Sequence, residues 1–138
     1  IDNFETLVPE PTTEFPGVKD FLARYKPKAI AAGVDALGYY LPPFSYAGMQ
    51  ILTSAITATG GLDQRKIGEY IRKTPHQTIV GEVRFGSDGE WLHSRVMQAQ
   101  YQNITGNDLP QFEKAGTQVI LYPAEFKSGT LQFPLPQP

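Results

Sequence analysis

A chain of 138 residues with 41% hydrophobic and 19% charged side chains is long and apolar enough to bury a real core. Its net charge of -2 and 12 Lys+Arg leave little to neutralise phosphates, which argues against nonspecific nucleic-acid binding. Cys is absent, which excludes disulfides, thiolate metal sites and a Cys nucleophile. Residues 1–16 carry Pro9, Pro11 and Pro16 and read as an extended lead-in. The chain starts at Ile1 with no signal peptide in it, and no apolar run approaches the ~20 residues of a membrane span. It therefore reads as processed, truncated or a piece of a longer protein.

Val18, Phe21, Leu22 and Tyr25 recur at helical spacing, predicting a short amphipathic helix that Pro27 ends or kinks. Residues 28–33 stay ambiguous, Ala-rich but short. Residues 37–43 form a loop holding two adjacent aromatics, Tyr39 and Tyr40. Pro42 and Pro43 then suit a helix start, where a missing N–H leaves no orphan. The longest helix is predicted over 44–59, burying Phe44, Ala47, Ile51, Leu52 and Ile56, and Gly60-Gly61 stops it. Asp63 is the expected N-cap of a third helix with Ile67, Tyr70 and Ile71 inward, closed by Thr74-Pro75.

The period then changes. Residues 78–85 are β-branched and partly alternating, and read as one strand. Gly86-Ser87-Asp88-Gly89 marks a turn. Residues 95–101 and 117–122 read as two more strands, the first alternating less cleanly. The Pro-rich C-terminus cannot hold a helix and reads as an extended tail. Three helices before three strands is an odd order for a free-standing α/β domain, which alternates from the start. Taken alone the chain is α+β, and it is expected to leave apolar surface that a second copy or absent N-terminal strands must cover.

Motifs for catalysis are missing. His76 and His93 have no second His at metal-ligand spacing and read as surface or partner-bonded residues. Gly60-Gly61 lacks the Lys-Ser/Thr ending of a phosphate loop. Asp88 and Glu90 read as a turn residue and an exposed strand residue, and Asn103-Ile104-Thr105 as a chance sequon match. Arg65-Lys66 and Arg72-Lys73 with Glu69 form a solvated helix face. No nucleophile, base and orienter assemble, so no enzyme, metal or cofactor is expected. The aromatic loop stands apart. Adjacent Tyr39 and Tyr40 cannot both face one core in an extended segment, so packing and pocket-lining both remain open for Tyr39, Tyr40 and Phe44.

Several stretches together resemble the periplasmic solute-binding proteins of branched-chain amino-acid (Leu/Ile/Val-binding) type ABC transporters. Pro16-Gly17-Val18-Lys19-Asp20-Phe21-Leu22-Ala23-Arg24-Tyr25 is similar to that family's PG-x-K-x-F-x-x-x-Y helix. Phe44-Ser45-Tyr46-Ala47-Gly48-Met49-Gln50 is similar to its YA-x-x-Q helix, and 79–91 to its G-x-V-x-F-x-x-x-G strand and turn. Residues 101–108 and 119–123 resemble the tail of a subgroup that takes up aromatic carboxylates.

The resemblance implies the C-terminal portion of a two-lobed α/β type I periplasmic-binding-protein (Venus flytrap) fold. Residues 1–94 would belong to ligand-binding lobe I. Residues 95–138 would hold a hinge-crossing strand, part of lobe II and the C-terminal tail. It implies a non-enzymatic, periplasmic, extracellular ligand-binding receptor for transport. The receptor would close around an amino acid or aromatic carboxylate and deliver it to an ABC transporter permease. Tyr39, Tyr40, Leu41 and Phe44 would form the ligand-binding wall, with Leu41 where some relatives carry a pocket aromatic. The carboxylate clamp would come from outside the chain, since the loop holds no Arg or Lys. The other reading is a standalone α+β interaction module acting as an oligomer.

Overall fold

A computed structural model describes residues 2–3, 15–34, 41–93 and 96–135. In chain order they form β1 (Asp2–Asn3), α1 (Val18–Ala31), α2 (Pro42–Thr59), α3 (Gln64–Lys73), β2 (His76–Thr78), β3 (Gly81–Val83), β4 (Met97–Tyr101), α4 (Leu109–Phe112) and β5 (Gln118–Tyr122). A 3-10 turn follows at Ala124–Phe126. The chain divides into two compact units, Phe15–Ser94 and Ile1–Glu14 with Arg95–Pro138.

In the first unit Gly17 sits at the N-cap of α1 with φ 87. A Cβ there would stand 3.3 Å from Ile79 Cγ2, so both backbone conformation and space favour glycine. Val18, Phe21 and Ala29 are buried. The helix runs through Pro27 and ends four residues later. Proline removes one internal hydrogen bond. Beyond it, Ala29 is buried and the last carbonyls are closed by Ala32 N–H to Lys28 O and Val34 N–H to Ala29 O. Gly33, with φ 67, supplies the left-handed turn that ends the helix.

The longest helix is α2, started by Pro42 and Pro43 and stopped by Gly60 at φ 70. Its buried stripe is Pro43, Ala47, Ile51 and Ala55, every fourth residue. This corrects the expected core set. Leu52 lies one helical step round from Ile51 and is exposed, and Phe44 and Ile56 are half-buried. Asp63 caps α3, its Oδ1 accepting from the N–H groups of Arg65 and Lys66 at 3.0 and 3.2 Å. Ile67 is buried, and Tyr70 and Ile71 are half-buried. Lys73 and Glu69 meet at 3.7 Å on the exposed face, a pair worth little.

The single strand expected over 78–85 is instead broken by a hairpin turn, with Thr78 ending one short strand and 81–83 forming the next. Residues 76–78 pair antiparallel with 81–83, around a turn at Ile79 and Val80. Thr78 Oγ1 donates to Gly81 O at 2.8 Å and accepts from Val80 N–H at 3.1 Å, and Gly81 has φ 89. A β-branched run hides this turn because its reversal rests on one hydroxyl and one glycine. A second reversal brings Phe85 opposite Trp91, with Glu90 N–H held by Asp88 Oδ1 at 3.0 Å.

In the second unit β4 lies between β1 and β5, antiparallel to both. The register shifts between Gln98 and Ala99, which explains the uneven alternation of this strand. Met97, Gln118, Val119 and Ile120 are buried. The tail lies along β4 through side-chain amides. Gln100 Nε2 donates to Gln132 O at 3.0 Å and its Oε1 accepts from Gln132 N–H at 2.9 Å, imitating a strand pair. Gln102 Nε2 donates to Thr130 O at 2.8 Å.

Gly129 permits that path, because a Cβ there would stand 2.7 Å from Val119 Cγ1. Val119 is buried and branched, so it has little room to yield. Gly129→Ala is expected to destabilise the second unit by about 1–3 kcal/mol, the scale of overpacking. Amide exchange at Ser128 and Gln132 should accelerate. Unchanged exchange would show that the tail does not lie against Val119.

Candidate functional site

Tyr39 and Tyr40 lie outside the described residues. Leu41 is the N-cap residue of α2 and is 63% exposed. Phe44, in the first turn, is half-buried with its ring 6.4 Å from that of Trp91, edge to face. The structure thus adds Trp91 to the α2 entrance. The sequence shows it only as the one Trp beyond the Gly-rich turn.

The family-like motifs place residues that build this region. Gln50 Oε1 accepts from the Ile79 N–H at 3.0 Å and ties α2 to the hairpin turn. Ala47 lies on the buried face of α2, and Tyr46 packs on Phe21 of α1. Val83 is buried, and Phe85 has its ring 6.5 Å from that of His76. His76 is buried, contacts the Tyr70 ring at 5.9 Å, and bonds through Nε2 to Ile71 O at 3.0 Å. It is the partner-bonded residue expected, and His93 is exposed.

Two hollows flank Tyr46. An open groove of about 750 Å³ runs along α2 past Met49, Thr53 and Thr57 to Tyr70 and Gln77. A smaller recess of about 210 Å³ lies between α1 and the start of α2, lined by Phe21, Arg24, Tyr25, Lys28 and Tyr46. In it the Phe21 and Tyr25 rings stack at 5.5 Å and 7°, and Tyr46 leans on Phe21 at 5.1 Å and 58°. Arg24 donates from Nη2 to the Tyr46 hydroxyl at 3.0 Å and from Nε to Asp20 O at 3.4 Å. Its guanidinium carbon lies 5.8 Å from the Tyr46 ring centroid. In the sequence Tyr46 stands out only as the Tyr of the YA-x-x-Q stretch and Arg24 only as a variable position of the α1 motif, and Lys28 carries no signal. Helical spacing aligns residues 21, 24, 25 and 28, but only folding adds Tyr46.

Away from the recess, Arg84 is held above its ordinary pKa, first by its hydrogen bond to Glu82 and then by that carboxylate's charge. Both groups are exposed on the hairpin. Among the described residues no cluster of three or more His, Asp or Glu could hold a metal ion. No helix among them is long and apolar enough to cross a membrane.

No family model matches the chain. Over 60 residues it is 33% identical to an amino acid binding protein of Pseudomonas aeruginosa. The match covers 44% of this chain and 16% of that relative's length. This identity supports a broad relationship to an amino-acid-binding protein.

Proposed function

We propose that the chain is part of the extracytoplasmic solute-binding component of an ABC importer of branched-chain amino-acid type. The observation that carries this reading is the 33% identity over 60 residues to an amino acid binding protein. The structural work done by Gly17, Gln50 and Gly81 supports it, since each motif residue fixes a turn or a packing contact. On this reading residues 1–94 belong to the first lobe of a two-lobed α/β receptor, and 95–138 to the hinge, second lobe and tail. The receptor is periplasmic, delivers its ligand to a permease and performs no chemistry. Its lobes close because the ligand, a small carboxylate, binds the closed state better.

Residues 39–44 are then the apolar wall of the cleft. Exposed Leu41 and edge-packed Phe44 at the α2 entrance support that role. In the complete receptor, Tyr40→Ala is expected to weaken ligand binding by about 1–3 kcal/mol, the scale of one buried ring. Titration calorimetry with aromatic acids and amino acids measures it. Unchanged affinity in both Tyr39→Ala and Tyr40→Ala would make the loop packing only. The second reading, an oligomeric α+β interaction module, draws on apolar side chains left in solvent, Leu62 at 76% and Phe133 at 86% exposure.

A further inference from the structure

We propose that the recess between α1 and α2 is a second binding site, for a small planar aromatic carboxylate. It does not rest on the receptor reading, because every residue that builds it lies within the unit Phe15–Ser94.

Arg24 supplies the first positive charge of the recess. Two of its N–H groups are engaged, and both acceptors are neutral: a tyrosine hydroxyl and a backbone carbonyl. These bonds and the contact with the Tyr46 ring order the guanidinium without neutralising it. No ion pair joins it to a carboxylate among the described residues. Lys28 lies one helical turn further along the same face and brings a second positive charge to the rim. Among the described residues its remaining donors meet no acceptor, and a guanidinium positioned by the Tyr46 hydroxyl is suited to a carboxylate.

The rest of the recess selects the body attached to that carboxylate. Phe21 is buried against both tyrosines and forms the floor, so the half-buried Tyr25 and Tyr46 rings are the surfaces left to a ligand, Tyr46 inclined to Phe21 at 58°. Flat faces and edges of this kind favour another ring in offset or edge contact. A volume of about 210 Å³ admits one ring with a short acidic arm and little more. A ligand this small reaches millimolar affinity, since few atoms contribute.

The test is an amide-shift titration of the chain with phenylacetate, its neutral analogue phenylacetamide, and acetate. Phenylacetate should give saturable shifts at Phe21, Arg24, Tyr25, Lys28 and Tyr46. Both controls should bind about tenfold more weakly or worse, since one lacks the charge and the other the ring. Arg24→Gln should weaken phenylacetate by about tenfold, the scale of a lost charge-assisted bond. Lys28→Gln should weaken it a few-fold and flatten its salt dependence, and it decides the matter if Arg24→Gln does not fold. Equal binding of phenylacetate and phenylacetamide would overturn the proposal, as would non-saturating shifts or unchanged affinity in the folded variants. Shifts confined to residues 41–44 and 91 would also overturn it and place the acid at the α2 entrance.

Discussion

Ile79→Ala is expected to lower the stability of the unit Phe15–Ser94 by about 2–5 kcal/mol. Ile79 is 1% exposed. Its Cγ2 is the atom that a side chain at Gly17 would strike, so the start of α1 closes directly upon it. Its N–H is held by Gln50 from α2. Backbone and neighbours are thus fixed from two helices, and the space left by truncation cannot readily collapse. The lost atoms and the residual cavity then both count. Leu52→Ala, which truncates an exposed side chain of α2, should cost less than about 1 kcal/mol. Urea unfolding followed by Trp91 fluorescence compares the two. Equal losses would show that the hairpin turn is not the packing centre of this unit.

Ile120→Ala should have a similar effect, about 2–5 kcal/mol, on the other unit. Ile120 is 1% exposed and pairs with Ala99 of β4. Its N–H bonds to Ser128 Oγ and its carbonyl to Ser128 N–H, both at 2.9 Å, so the tail caps the strand at this point. Removing the side chain empties a space whose walls are pinned on both edges. Trp91 lies in the other unit, so amide exchange across 97–101 and 118–122 is the proper readout. Exchange unchanged throughout these strands would contradict the placement of Ile120 at their core.

Much of the helical architecture was legible because it is written locally. The Pro-start and Gly-stop of α2 and the Asp63 cap need only neighbouring residues to act. Misreadings arose where a tertiary contact overrode a local signal. Of the two outcomes open at Pro27, termination does not occur, because burial of Ala29 and a closed last turn carry α1 past it. The stripe through Ala47, Ile51 and Ala55 turns away from Leu52, although periodicity alone admits both. The Thr78–Gly81 reversal is hidden inside a β-branched run. The candidate surfaces were legible only in part. Phe44 was marked by the aromatic loop. Its partner Trp91 and the Arg24–Tyr46 bond are distant in sequence and meet through folding.

The function proposed for this chain is that of part of a receptor that closes around a small carboxylate. Small-angle scattering of the complete receptor, with and without saturating amino acids and aromatic acids, distinguishes closure from its absence. At least one such ligand is expected to bind saturably and reduce the radius of gyration, as hinge closure requires. Saturable binding with no compaction, or no binding by any carboxylate, would contradict it.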